Sequence, residues 1–277
     1  MSAIAAAIKF YTLFLFTVAL LRIIHGGRAN IFIYAGCSLD KFPPNSPYQS
    51  DLNALLSALS SSSSRSLYSS FSTGNATGLY QCRGDLKTRD CADCVAAAVS
   101  QLDLLCPYTG GAALQLDGCF LRYDDGGDFV GKLDTSLRYK KCSASNGGDA
   151  EFVRRRDDML ADLGGAAAAA AGFRVSSAGA VEGYAQCLGD LTAAECGECL
   201  AEGAAMVKSL CGAAVAGDVF LAKCYVRYWE SGYYGSSSGR SSSEEDDVGK
   251  TVAIIVGVIA GLALLIVLLS LCRKSLG

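Results

Sequence analysis

Thirteen of the 277 residues are cysteine. Twelve of them form two sets of six: Cys37, Cys82, Cys91, Cys94, Cys106 and Cys119, then Cys142, Cys187, Cys196, Cys199, Cys211 and Cys224. Cys91-x2-Cys94 and Cys196-x2-Cys199 carry the spacing of a redox pair, or of half a four-cysteine zinc site. The even count in each set, together with an export signal, favours structural disulfides instead. Spacing alone does not choose among the pairings open to six cysteines.

Other catalytic groups are sparse. His25, the one histidine, lies in the N-terminal leader, so the mature chain has no imidazole to serve as general base, nucleophile or metal ligand. Asp124, Asp125 and Asp128 follow Tyr123 among glycines, in what reads as a turn. The corresponding later stretch has Trp229-Glu230 instead, which argues against a glycosidase pair of carboxylates. No catalytic residue, metal or cofactor is expected. The aromatics Tyr225, Tyr228, Trp229, Tyr233 and Tyr234 have faces suited to a sugar or a partner, though strand packing explains them as well. Asn75-Ala76-Thr77 is an N-glycosylation sequon in a serine-rich stretch that reads as a loop.

The termini must place these groups outside the cell. Residues 1–29 hold Lys9, an apolar run from Phe10 to Leu21, and small Gly27 and Ala29 before the expected cleavage point, the pattern of a signal peptide. Thr251 to Leu271 is an uncharged apolar run of transmembrane length. Glu244-Glu245-Asp246-Asp247 precedes it and Arg273-Lys274 follows, which sets the N-terminal side outward. The expected product is a type I protein with a stalk at 231–250, a span at 251–271 and a cytosolic tail at 272–277. Gly257-x3-Gly261 is a candidate helix-dimer face for a homodimer, and Cys272 a candidate acylation site. Between Asn30 and Lys250 lie all 27 acids and 19 bases, a net charge of −8, which argues against a nucleic-acid partner. Arg154-Arg155-Arg156, followed by Asp157-Asp158, reads as a solvated helix face.

The outward portion is a duplication. Adding 105 to each of the first six cysteine positions gives each of the second six. Gln81-Cys82-Arg83-Gly84-Asp85-Leu86 matches Gln186-Cys187-Leu188-Gly189-Asp190-Leu191 at the same offset, and Arg122-Tyr123 matches Arg227-Tyr228. The domains are expected at 30–140 and 141–230. In the first, Asp51–Leu59 and Asp90–Leu105 have helical apolar spacing; Asp157–Leu163 and Ala194–Leu210 are their counterparts. Leu114–Tyr123 and Val219–Tyr228 read as β-structure. The fold class expected is α+β: two helices on a small antiparallel sheet in each of two tandem disulfide-stapled domains, plus the transmembrane helix.

The run C-x8-C-x2-C-x11-C-x12-C, in both copies, resembles the plant cysteine-rich repeat of the ginkbilobin-like, stress-antifungal type. Two such copies with a membrane helix and no room for a kinase before Gly277 resemble the plasmodesmata-located proteins of that group. The resemblance implies the pairs Cys37–Cys106, Cys82–Cys91, Cys94–Cys119, Cys142–Cys211, Cys187–Cys196 and Cys199–Cys224. It implies a plasma-membrane protein at plasmodesmata that limits cell-to-cell transport through callose deposition and supports plant defence. Its ectodomain would meet a cell-wall glycan or another receptor or plasmodesmata-located ectodomain. The rival expectations are a cell-surface mannose-type lectin or antifungal protein, and a redox-responsive co-receptor. Mannose-binding relatives use an Asn, an Arg and a Glu. Here Ser38 and Ser143 stand where the Asn is expected, no Arg is expected near the fifth and sixth cysteines, and Asp124 or Glu230 stands in for the acid, with Trp229 beside it.

Overall fold

The computed structural model describes residues 28–126, 128–145, 149–165 and 172–233. The first repeat runs β1 (Phe32–Cys37), α1 (Pro47–Ser62), β2 (Tyr68–Thr73), β3 (Ala76–Cys82), α2 (Thr88–Leu105), β4 (Gly111–Leu116) and β5 (Cys119–Asp125). The second runs β6 (Leu137–Cys142), α3 (Ala150–Leu163), β7 (Phe173–Ala178), β8 (Val181–Cys187), α4 (Ala193–Cys211), β9 (Ala216–Leu221) and β10 (Cys224–Glu230). Each repeat is one five-stranded sheet, ordered β1-β4-β5-β3-β2 and β6-β9-β10-β8-β7, with two helices on it.

Local chemistry sets the helix starts. The Ser46 side chain accepts a hydrogen bond from the Gln49 amide and Pro47 opens α1. Asp149 accepts from the Phe152 amide at α3. Thr192 and Glu195 form a reciprocal capping box at α4. These caps lie outside the apolar periodicity, so α1 starts four residues before the expected Asp51 and α3 starts at Ala150 instead of Asp157. The inward stripes are Leu52, Leu55 and Leu59 on α1, and Cys91, Cys94, Val95, Ala98 and Leu102 on α2, all packed on one face of the first sheet.

Each of the two expected runs of β-structure is a pair of strands. Leu114–Tyr123 is broken at Asp117-Gly118, between β4 and β5. Gly118 has no room for a side chain: a Cβ there would lie 2.6 Å from that of Ala29. The boundary expected after Lys140 falls inside β6, whose Lys140 and Lys141 pair with Val219 and Asp218 of β9. Leu137 to Lys140 therefore belongs to the second sheet.

The six bridges are Cys37–Cys106, Cys82–Cys91, Cys94–Cys119, Cys142–Cys211, Cys187–Cys196 and Cys199–Cys224. The first three tie β1, β3 and β5 to α2; the others repeat the scheme on α4. Equivalent bridges close segments of the same length, 69, 9 and 25 residues. At about 2–5 kcal/mol each, such links are comparable to the whole stability of a small domain.

The basic run departs from expectation. Arg154 is exposed and Arg155 half-buried; both pair with Glu151, and Arg154 also with Asp158. Arg156 is buried: it donates to the Gly212 carbonyl and to Asp157, and lies over the Tyr228 ring. A run of like residues on a helix turns through 100° per residue, so one of three adjacent arginines points inward. Among the described residues no helix is long and apolar enough to cross a membrane. The expected span at 251–271, Gly257, Gly261, Cys272, Tyr234 and the leader before Arg28 lie outside the described residues.

Candidate functional site

One face of each sheet carries the helices; the other meets its counterpart from the second repeat. Tyr34 of β1 stacks on Tyr139 of β6, ring centres 5.8 Å apart and planes 14° from parallel. These two residues differ in number by the repeat offset of 105, so the stack lies on the pseudo-twofold axis of the tandem. Phe220 packs edge-on against both. On the first-repeat side, Leu79 and Phe120 close with Phe129 and Leu188 into a separate apolar cluster.

Polar contacts follow the same symmetry. The Gly189 amide donates to Gln81 Oε1 at 2.9 Å, and the Gly84 amide donates to Gln186 Oε1 at 3.3 Å. Asp117, in the β4–β5 turn, receives Arg83 and Arg227, each at 2.6 Å. Arg227 is buried, a cost that opposes its charge, but Asp218 at 2.8 Å, Tyr184 and Asp117 hold it firmly protonated. Lys223 and Asp190 form a second buried pair, in which Lys223 Nζ also donates to the Phe129 carbonyl at 2.7 Å and Asp190 accepts from the Gly131 amide at 2.9 Å. The connector after β5 is thereby fastened to the second repeat.

Beside this interface the first repeat keeps an open cleft of about 480 Å³. That is within the ~300–1,000 Å³ of ordinary ligand sites. Its floor is made of small residues on paired strands: Gly36 lies opposite Ala113, which lies opposite Arg122. Ser38, Tyr34 and Asp124 line its sides, and Leu137 and Arg138 of the second repeat's first strand complete it. Arg122 pairs with Asp124 at 3.3 Å and lies over the Phe129 ring at 4.1 Å. Arg138 pairs with Asp134 at 2.9 Å. Burial raises the Tyr34 hydroxyl pKa, while the nearby Arg138 and Arg122 charges oppose that rise.

Among the described residues, the second repeat fills the equivalent place. The residues equivalent to Gly36 and Ala113 are Lys141 and Asp218, which face one another in register. Asp218 takes the space that Ala113 leaves and binds Arg227, the equivalent of Arg122.

The structure thus brings Asp124 and Ser38 together and adds Arg122, three residues after the sixth cysteine of its repeat, where no arginine was expected. Arg122 was visible in the matched Arg-Tyr pairs, but what opens its surroundings is the Ala113-for-Asp218 difference between the copies. Arg138 reaches the cleft only through the tandem packing, a contact that no local spacing reports. Trp229 and Glu230 end β10 and do not line the cleft. Tyr225 and Tyr228 are internal: Tyr225 donates to Gln186 at 2.9 Å and Tyr228 to the Ala214 carbonyl at 2.7 Å. Ser143 donates to the Ser145 carbonyl at 2.6 Å. Asn75 is exposed, in the two-residue turn of the β2–β3 hairpin rather than in a serine-rich loop, because the preceding serines are taken up by α1 and β2. Among the described residues no three His, Cys, Asp or Glu side chains are grouped to hold a metal.

Comparison with known proteins fits this architecture. The family model described as salt stress response/antifungal matches residues 36–126 and 141–231. Plasmodesmata-located protein 8 of Arabidopsis thaliana is 52% identical over 260 residues, covering 90% of this chain and 91% of that protein. Plasmodesmata-located protein 6 of the same plant is 43% identical over 276 residues, covering 95% of each. A solved structure, the tandem DUF26 ectodomain of the Arabidopsis thaliana cysteine-rich receptor-like protein PDLP8, is 51% identical with a TM-score of 0.70, covering 73% of this chain and 100% of that one.

Proposed function

The chain belongs to the salt stress response/antifungal family and, within it, to the plasmodesmata-located proteins, and from that membership we propose that it is a receptor-like protein of plasmodesmata that acts by binding, without catalysis. Near full-length likeness to two plasmodesmata-located proteins supports the location. The observation that carries the binding role is the cleft of the first repeat, where Arg122, Arg138, Asp124 and Ser38 surround open space. In this reading residues 251–271 anchor the chain in the membrane. Its effect passes through partners: a wall glycan or another receptor ectodomain outside, and a second copy in the membrane.

The cellular outcome proposed is restriction of cell-to-cell traffic by callose deposition, in support of defence. The test is expression of the full-length chain in leaf epidermis, scoring the spread of a freely diffusing fluorescent protein and the callose stained at wall channels. Reduced spread with more callose is expected. Unchanged spread and unchanged callose, in cells where the protein accumulates, would overturn the reading.

A further inference from the structure

We infer that the cleft of the first repeat binds a carboxylate-bearing sugar, an oligouronide, and that the tandem carries one such site rather than two. The inference rests on the binding role proposed above and adds the class of ligand.

Charge comes first. Two guanidinium groups line the cleft, Arg122 and Arg138, beside one lining carboxylate, Asp124; Arg138 also pairs with Asp134, which is not among the lining residues. Both arginine heads thus border open space, on an outward portion whose net charge is −8. Guanidinium groups bind carboxylates through paired N–H donors, a match that a neutral sugar cannot use. Among the described residues Arg122 pairs with one carboxylate, at 3.3 Å, and keeps 22% of its side chain exposed. Its equivalent Arg227 is 8% exposed and held between Asp218 and Asp117. The same arginine is neutralised internally in one repeat and left facing open space in the other.

Shape and remaining chemistry point to a sugar acid. Ser38 and Asp124 offer groups that accept from ring hydroxyls, while the arginines take the carboxylate. The glycine floor is open, since a Cβ built at Gly36 would meet no atom within 4 Å. Arg138 comes from β6 of the second repeat, so the site is complete only in the tandem.

The second repeat supplies the test variant. Ala113→Asp places in the first repeat the carboxylate that Asp218 provides in the second, filling the cleft and neutralising Arg122 in an arrangement the fold already accommodates. Arg138→Gln removes the other guanidinium from an exposed edge strand. Binding of trigalacturonate to the full-length chain in detergent would be followed by titration calorimetry, with thermal unfolding as the check on folding. The expected result is binding that weakens with salt and drops about tenfold or more in Ala113→Asp and in Arg138→Gln. The methyl-esterified trimer, which keeps the shape without the charge, should bind at least about tenfold more weakly. Equal binding of acid and ester, a preference for mannotriose, or no uronide binding by a folded chain would each overturn the inference. If traffic and callose respond as proposed while uronide binding is absent, the ligand class fails and the location stands.

Discussion

Gln81 Oε1 accepts the Gly189 amide of the opposite repeat at 2.9 Å, and 105 residues later Gln186 Oε1 accepts the Gly84 amide at 3.3 Å. The duplicated Gln-Cys-x-Gly-Asp-Leu motif is therefore its own partner. Its glutamine caps the loop of the other copy, and its glycine leaves room for Tyr68 or Phe173: a Cβ at Gly84 would lie 2.5 Å from the Phe173 Cβ, and one at Gly189 2.7 Å from the Tyr68 ring.

The two repeats should consequently unfold as one unit. Gln81→Ala alone should cost about 1 kcal/mol, the usual worth of a hydrogen bond that water can replace. Gly84→Val should cost about 1–3 kcal/mol through overpacking. Calorimetric unfolding should show one transition in the parent chain and two in the Gln81→Ala, Gly84→Val double variant. Two transitions in the parent would refute the coupling.

Lys223 and Asp190 are both almost fully buried, and Asp190 Oδ1 has no partner within the protein. Lys223→Met strands a buried carboxylate and should cost about 3–5 kcal/mol, whereas Lys223→Met with Asp190→Leu should recover most of that loss. Denaturant midpoints of the two variants decide it; equal midpoints would show that the charge itself is not what matters.

Acid should weaken the tandem domains modestly through a small set of exposed carboxylates whose ion pairs water screens. Arg154 and Arg155 hold Glu151 down to a pKa of about 2, from an ordinary 4.5. Arg174 lowers Asp162, and Thr192 lowers Glu195. A depressed folded-state pKa gives stability that is full above the unfolded value and lost as pH falls through the folded one. Melting temperature should be nearly flat from pH 7 to 5 and fall between about pH 4.5 and 2. Glu151→Gln should make that fall shallower; an unchanged slope would remove Glu151 from the account.

The Ala29 carbonyl accepts the Gly118 amide at 2.8 Å, and Ala29 packs against the first core. A cut after Ala29, the small-residue site expected from sequence, would remove that residue. The mature chain should begin at or before Ala29, read by intact mass of the protein purified from plant membranes. A mature N-terminus at Asn30 would contradict this.

Much of the architecture was legible because it repeats. Cysteine register exposed the duplication, and apolar spacing located the four helices, though not their capped first turns. The Leu114–Tyr123 run hid its break because Asp117 and Gly118 form a tight turn inside an otherwise strand-like stretch. Arg156 was misplaced because its neighbours are alike while helix geometry is not. The cleft was the least legible feature. It depends on what is missing at Gly36 and Ala113, and on Arg138 arriving from another sheet, so pattern within one repeat does not reveal it.

The central claim is the protein's place in the plant. A fluorescent fusion of the full-length chain, imaged in leaf epidermis with callose stained in the same cells, tests it most directly. Discrete foci that span the wall and coincide with callose are the predicted result; an even signal over the plasma membrane would contradict the account.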